Sequence, residues 1–164
     1  MSEGLVFSTV NLDRSQRFLE FFPQWRALIS GEKDEVACLS NTCSALMQAF
    51  HFHWVGFYRV SLNELVLGPF QGPVACNRIA LGKGVCGTAW LNNKSMVVPD
   101  VEAFPGHIAC SALSKSEVVI PLRNSLNEVM AVLDIDSDRL NDFSSDDLIN
   151  LEFLCHELEK QVYH

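Results

Sequence analysis

The sequence predicts an α+β fold in which helices pack on one face of an antiparallel β-sheet. Helical patterns lie near both ends, and short apolar segments joined by hairpin-like turns fill the middle of the chain. Strands joined by short turns pair in an antiparallel manner, and the helices at the two ends are then expected to cover one face. Loops are expected to cover the other face and to enclose a pocket against the sheet.

Two helices are predicted before the first strand. Residues 13–30 have a helical pattern that contains Pro23, which is expected to break or restart the helix at that point. Residues 31–34 form a predicted turn. From Val36 to Phe50, apolar residues recur at spacings of three and four, which predicts an amphipathic helix.

Strands dominate the middle of the chain. Residues 53–60 are aromatic and β-branched, residues 61–64 are typical of a hairpin loop, and residues 65–67 are the predicted return strand. A short helix is predicted at residues 84–92, after a glycine-rich segment, and a further short strand at residues 96–98.

A second hairpin and a closing helix are predicted in the last third of the chain. Residues 118–120 and 128–136 are the predicted strands, joined by a turn at residues 124–127. The closing helix is expected to begin near Ser144, with Asp147 three residues further on as its capping partner.

Composition and charge limit the classes of function. The 164 residues carry 12 Lys and Arg against 20 Asp and Glu, a net charge of −8. A nucleic-acid backbone or an anionic membrane needs clustered cations, so neither is an expected partner. The length fits one domain spanning residues 1–164.

The first residues and the lack of a long apolar run predict a cytoplasmic protein. The segment Met1 to Leu5 lacks the basic and apolar regions of a signal peptide, and no apolar run approaches the roughly 18 residues that span a bilayer. Structural disulfides are rare in the cytosol. The six cysteines include no CxxC pair, which argues against a structural zinc site.

Three acidic residues break the ordinary pattern of burial. Asp134 and Asp136 alternate with Leu133 and Ile135 in an apolar strand, so the two carboxylates point to the same side. Glu117 begins the strand predicted to pair with it. Acids at strand ends often lie in water or cap turns, but three on paired strands favour a binding site.

The cysteines divide into two groups. Cys38, Cys43 and Cys155 lie on predicted helices and are interpreted as core residues, because free cysteine is a common buried hydrophobe. The other group lies in loops rich in glycine and proline, where reactive residues are often found; it consists of Cys76, Cys86 and Cys110. His107 precedes Cys110 by three residues, either as a loop histidine or as a group that lowers the thiol pKa.

Six runs of sequence, in order along most of the chain, resemble the free methionine-(R)-sulfoxide reductases, which are stand-alone GAF domains. The runs are His53–Tyr58, Leu67–Gly72, Gly82–Ala89, Gly106–Cys110, Ser116–Pro121 and Leu133–Ser137. The resemblance implies a GAF-like fold and the reduction of free L-methionine-(R)-sulfoxide to L-methionine. It also implies a homodimer.

The resemblance assigns roles to residues of this chain. Cys110 matches the family's nucleophile, and Cys76 and Cys86 match its resolving cysteines, with Cys76 favoured as the first partner. The acids that hold the substrate in the family are matched by Glu117, Asp134 and Asp136. The aromatic wall around the substrate methyl group is matched by Trp54 and Tyr58. Ser111 stands where the family usually has an acid, and Ala80 stands where it usually has a proline. The change at Ser111 puts in doubt the pKa of the Cys110 thiol and the rate of its reaction.

These parts predict a mechanism without a metal or an organic cofactor. The Cys110 thiolate attacks the sulfoxide sulfur, a sulfenic acid forms, and a second thiol condenses with it to a disulfide. Thioredoxin is the expected reductant. Crowded carboxylates raise each other's pKa, so at least one should be protonated, with Asp136 or Glu117 as the candidate donor.

Two other classes of function compete with the enzyme. A GAF module that binds a small ligand without turnover accounts for the acids and aromatics but leaves the three loop cysteines unexplained. A redox sensor accounts for the cysteines but not for the acids.

Overall fold

The computed structural model describes residues 4–8, 10–108 and 112–164, and it confirms the predicted α+β fold. The helices in this part of the chain are α1 (Arg14–Ile29), α2 (Glu35–Phe50), α3 (Gly84–Asn92) and α4 (Ser145–Val162), with a 3₁₀ turn at Val101–Ala103. The strands are β1 (Trp54–Ser61), β2 (Glu64–Gln71), β3 (Arg78–Ala80), β4 (Met96–Val98), β5 (Ser116–Arg123) and β6 (Val129–Ser137). The closing helix has Ser144 as its N-cap and Asp147 in a reciprocal capping box, as predicted.

The six strands form one antiparallel sheet in the order β3-β2-β1-β6-β5-β4. Strands β1 and β6 are at the centre, although the chain visits them first and last. The hairpin between β1 and β2 turns through Leu62 and Asn63, both at positive φ, which matches the twist of the flanking strands. In this strand order, β1 and β6 each pair with a strand on both sides.

One face of the sheet carries the main hydrophobic core. Helices α1, α2 and α4 pack there, and alternate residues of the central strands point towards them. Leu133 and Ile135 of β6 are fully buried in this core. The neighbouring residues of the same strand consequently face the other side of the sheet.

Helix α3 and the loops cover the opposite face. A second, smaller apolar cluster lies there and includes Trp54, Tyr58, Val119, Val132 and Cys86. The prediction of terminal helices on one face and loops on the other is confirmed, with α3 among the covering elements. Within the described residues, no helix is both long enough and apolar enough to cross a membrane.

The predicted break at Pro23 is wrong, because α1 continues through this residue from Arg14 to Ile29. An internal proline removes one helical hydrogen bond and costs about 3 kcal/mol. Phe21 and Trp25 lie on either side of Pro23 and are completely buried. Burial of each such side chain contributes roughly 1.5–3 kcal/mol, so packing against the core outweighs the local preference.

Gly56 of β1 permits close packing over the sheet. A Cβ atom at this position would lie 2.6 Å from Phe70 Cβ and even closer to the Trp54 ring. We therefore expect Gly56→Ala to lower the free energy of unfolding by roughly 1–3 kcal/mol, measured by urea denaturation. Gly4→Ala is the matched control, because nothing lies within 4 Å of its added Cβ. Equal stability of both variants would contradict this account.

Candidate active site

A cavity lies between the sheet and the covering loops. Its walls are formed by Trp54, Tyr58, Val74, Ala75, Ile79, Gly84, Val85, Cys86, His107, Ile108, Ser114, Glu117, Asp134 and Asp136. Most of its wall is apolar, and its acidic groups come from two adjacent strands.

The strand register brings the three predicted acids together. Glu117 of β5 lies directly opposite Asp136 of β6, and Asp134 lies opposite Val119. These side chains share the loop-covered face, since Leu133 and Ile135 occupy the helix-covered face. Glu117 and Asp134 are 5% and 7% exposed. Asp136 is half-buried.

Burial raises the pKa of every acid in this group. Loss of hydration raises the pKa of Asp134 to about 6, although hydrogen bonds from Cys86 and Glu117 partly counter the effect. Burial and the neighbouring charges of Asp134 and Asp136 hold the pKa of Glu117 well above its usual range. The same two causes, burial and the charge of Asp134, raise the pKa of Asp136 well above its usual range. Asp134 is therefore the acid that ionises first.

Strand β1 supplies the aromatic wall of the cavity. Trp54 pairs with Asp136 across the sheet and Gly56 pairs with Asp134. The ring of Trp54 stacks on Tyr58 with 6.1 Å between centroids and on Phe70 with 5.5 Å. The absent side chain at Gly56 leaves room for the Trp54 ring to lie over the strand.

The two aromatic side chains also hold the loop that carries Cys76. The indole Nε1 of Trp54 donates a hydrogen bond to the Pro73 carbonyl at 3.0 Å. The Tyr58 hydroxyl donates to the Cys76 carbonyl, also at 3.0 Å. Both donors thus connect the cavity wall to the backbone on either side of residues 74 and 75.

Cys86 lies deep in the cavity among the acids. It is the third residue of α3 and is 3% exposed, so its prediction as a loop cysteine is wrong, because the glycine-rich segment around it begins the helix. Its Sγ lies 3.9 Å from Glu117 Oε1. Burial, together with the charges of Asp134 and Glu117, raises the pKa of this thiol well above its usual range. Cys86 is therefore held as a neutral thiol.

The remaining cysteines occupy different settings. Cys76 is disulfide-bonded, whereas Cys38, Cys43, Cys86 and Cys155 carry free thiols. Cys38, Cys43 and Cys155 are buried in the helix-side core, which confirms their interpretation as core residues. The predicted nucleophile Cys110 and its neighbour Ser111 lie outside the described residues. His107 lines the cavity, where burial lowers its pKa and Glu102 partly counters that effect.

Sequence reasoning missed several residues of the cavity. Ser114 lies in the loop before β5 and lines the cavity. Ile79 of β3 and Val85 of α3 complete the apolar wall. Ile79 and Val85 follow from no local pattern, because they reach the cavity only through tertiary packing. Gly56 lies two residues from Trp54 and two from Tyr58 in the same strand, and a glycine at such a position indicates close packing.

Comparison with known proteins defines the class of domain to which this chain belongs. Residues 32–159 match the GAF domain family. A protein of Dictyostelium discoideum named GAF domain-containing protein A is 54% identical over 148 residues, which cover 90% of this chain and 92% of that protein. The sheet with its loop-covered cavity is therefore a GAF domain.

Two further relatives narrow the class. The free methionine-R-sulfoxide reductase of Escherichia coli is 41% identical over 150 residues, covering 91% of this chain and 90% of that protein. The X-ray structure of free methionine-R-sulfoxide reductase from Neisseria meningitidis, in complex with its substrate, has a TM-score of 0.92 and 46% identity. The match covers 96% of this chain and 94% of that one. The chain belongs to the free methionine-R-sulfoxide reductase family of GAF domains.

The raised pKa of Asp134 predicts a stability that falls as pH rises. The folded protein retains this proton up to about pH 6, whereas the unfolded chain releases it near pH 3.9. Stability conferred by the bound proton is thus lost between these pH values, and Glu117 and Asp136 extend the loss upwards. We expect Asp134→Asn to flatten the profile and to exceed the wild type by roughly 1–3 kcal/mol near pH 8.

Urea denaturation across this pH range measures the effect. Asp138→Asn is the matched control, because Asp138 is an exposed carboxylate just beyond β6. The control should follow the wild-type curve. A wild-type stability that rises from about pH 4 to pH 8 would contradict the shared burial of these acids.

Proposed function

We propose that this protein reduces free methionine-(R)-sulfoxide to methionine, with Cys110 as the nucleophile. The observation that carries the proposal is the group of three acids, Glu117, Asp134 and Asp136, in one cavity beside an aromatic wall. Such a cavity suits a small zwitterion with an apolar end. Membership of the free methionine-R-sulfoxide reductase family supports the same substrate.

Asp134 is the proposed partner of the substrate ammonium. Its pKa is raised to about 6, so Asp134 is mostly ionised at neutral pH. Trp54 and Tyr58 are buried and stacked on the same side of the sheet. Their rings offer an apolar surface to the methyl end of the substrate.

Glu117 and Asp136 are the proposed proton donors. Both have pKa values raised well above the usual range by burial and neighbouring charge, and the proposal is that they keep their protons at neutral pH. A neutral carboxylic acid donates a hydrogen bond to the sulfoxide oxygen and stabilises the charge that develops there. An ionised acid in the same place would repel that oxygen.

The proposed chemistry transfers one oxygen atom and two electrons. The Cys110 thiolate attacks the sulfoxide sulfur while Glu117 or Asp136 gives its proton to the oxygen, and the oxygen passes to the cysteine sulfur, giving methionine, a sulfenic acid and a carboxylate. The Cys76 thiol then attacks the sulfenic acid, an S–S bond forms, and the oxygen leaves as water. A dithiol of the thioredoxin type then exchanges with this disulfide and restores both thiols.

Cys76 suits the role of resolving thiol better than Cys86. Cys76 lies in a disulfide, is half-buried, and belongs to an anchored loop. In the proposed cycle, Cys76 forms its disulfide with Cys110. Cys86 is buried among acids that disfavour its thiolate, which is the attacking form. The family resemblance nevertheless matches Cys86 to a second resolving thiol.

Opening of the cavity accompanies substrate entry in this proposal. The loop that carries Cys76 forms part of the cavity wall through Val74 and Ala75. We infer that reduction of Cys76 releases the loop at residues 73–76 and widens the cavity. Binding of a free ammonium group by Asp134 would exclude a methionine sulfoxide within a peptide chain, so free methionine sulfoxide is the proposed substrate rather than oxidised protein.

The wider setting of the reaction follows from its thiol chemistry. A cycle that restores two thiols requires a reducing compartment, which is the cytoplasm. Thioredoxin is the proposed reductant for the same reason. The homodimer stays a prediction.

Cys110→Ser is expected to lower the turnover of free methionine-(R)-sulfoxide by at least about a thousandfold, because the nucleophile is lost. The assay follows consumption of the two separate free epimers with dithiothreitol. Cys155→Ala is the matched control, because this cysteine lies in the helix-side core. Full activity of Cys110→Ser would overturn the proposal. A GAF module that only binds a ligand would consume neither epimer.

Tyr58→Phe is expected to slow resolution more than the first chemical step. The variant loses the hydrogen bond to the Cys76 carbonyl but keeps the aromatic ring. One neutral hydrogen bond is worth about 0.5–1.5 kcal/mol, so disulfide formation should slow roughly 2–10-fold. Single-turnover experiments that trap the sulfenic acid and count thiols separate the two steps. Slowing of methionine release alone would contradict the anchoring role.

A further inference from the structure

One group of side chains in the cavity has the composition of a metal site. Among the residues that the structure describes, Cys86, Glu117 and Asp134 each place a ligand atom within 4.8 Å of the other two. Each of the three side chains is buried. They come from three elements, α3, β5 and β6, so the sheet and the helix hold them in place.

The spacing of these atoms is close to that around zinc. Zinc binds cysteine sulfur at about 2.3 Å and carboxylate oxygen at about 2.0–2.2 Å in a tetrahedral arrangement. Ligand atoms in such a site are about 3.4–3.6 Å apart. Cys86 Sγ and Glu117 Oε1 are 3.9 Å apart, so side-chain shifts of a few tenths of an ångström bring this pair to zinc-binding geometry.

An unpartnered oxygen points independently to a ligand. Asp134 Oδ1 is buried and makes no hydrogen bond within the described part of the chain. Asp134 is only 7% exposed and lines the cavity. A buried carboxylate oxygen without a partner is costly, so the site gains stability when a cation or a donor reaches it.

We propose that Cys86, Glu117 and Asp134 bind a zinc ion reversibly, with water from the cavity in the fourth position. The bound ion occupies the place where the substrate ammonium meets Asp134, so zinc competes with free methionine sulfoxide. The competition rests on the proposed function, whereas the binding of zinc does not. Zinc in this proposal is an inhibitor that transfers no electrons.

The ligand set selects zinc over the hard cations. Magnesium and calcium require six or more oxygen ligands, often including waters. A thiolate with two carboxylates instead suits a borderline metal such as zinc, or cobalt as its spectroscopic substitute. Cys86 and Glu117 are neutral in the metal-free protein of this account, so zinc binding releases their protons, and the divalent ion then largely neutralises the three anionic ligands.

Cobalt and zinc titrations test the binding directly. The experiment uses Cys76→Ser/Cys110→Ser protein in a non-thiol reductant, so that Cys76 and Cys110 contribute no thiolate. Cobalt should produce a near-ultraviolet thiolate-to-metal charge-transfer band, and zinc should remove it. The absence of any band in the double variant would overturn the proposal. A band of unchanged strength after Cys86→Ala is added to the double variant would also overturn it.

Substitution of the ligands gives the matched comparison. In the same background, Cys86→Ala, Glu117→Gln and Asp134→Asn should each weaken zinc binding at least about 10–100-fold, measured by competition with a chelating dye. Cys155→Ala removes a buried thiol outside the cavity and should leave binding unchanged. Thermal unfolding in the presence of zinc provides a second readout, since zinc should stabilise only proteins that retain the three ligands.

Kinetics of the otherwise unmodified protein separates this proposal from the proposed function. Zinc should raise the KM for free methionine-(R)-sulfoxide without changing kcat, and a chelator should reverse the effect. Turnover by Cys110→Ser would contradict the proposed function while leaving zinc binding intact. Active protein whose KM does not respond to zinc at saturating metal would contradict the proposed competition.

Discussion

Three carboxyl groups buried against one another are the constraint on which the rest of the cavity depends. Glu117, Asp134 and Asp136 cannot all be ionised where water is scarce, so burial and mutual repulsion keep protons on them. A shared set of protons gives the cavity both a negative group and neutral donors. Those are the two properties needed to hold an ammonium and to polarise a sulfoxide oxygen. The same electrostatic environment keeps Cys86 as a neutral thiol.

The sheet determines that these groups meet. Glu117 faces Asp136 because β5 and β6 pair in that register, and a slip of one residue would turn the acids towards the helix-side core. Strand β1 then completes the cavity with Trp54 and Tyr58, which also bond to the loop around Cys76. In the proposed function, substrate recognition and the resolving thiol are consequently linked through these two aromatic side chains.

Alternation and capping patterns were sufficient to predict most of the fold. The strand pattern around Asp134 placed the acids on one side, and the short helix at residues 84–92 was predicted with its observed ends. Pro23 was misjudged because its local preference is overcome by the burial of Phe21 and Trp25. The position of Cys86 beside Glu117 could not be predicted, because 31 residues separate them and only the packing of α3 on the sheet brings them together. Ser114 and Ile79 line the cavity for the same reason, because only tertiary packing brings them there.

The central claim concerns protons, and carbon-13 NMR of the side-chain carboxyl groups measures them most directly. Titration of selectively labelled protein, with Glu117→Gln and Asp136→Asn spectra for assignment, reports the ionisation of each acid. The account predicts that Asp134 titrates near pH 6 and that Glu117 and Asp136 retain protons at neutral pH. Ordinary titration of all three acids near pH 4 would contradict it.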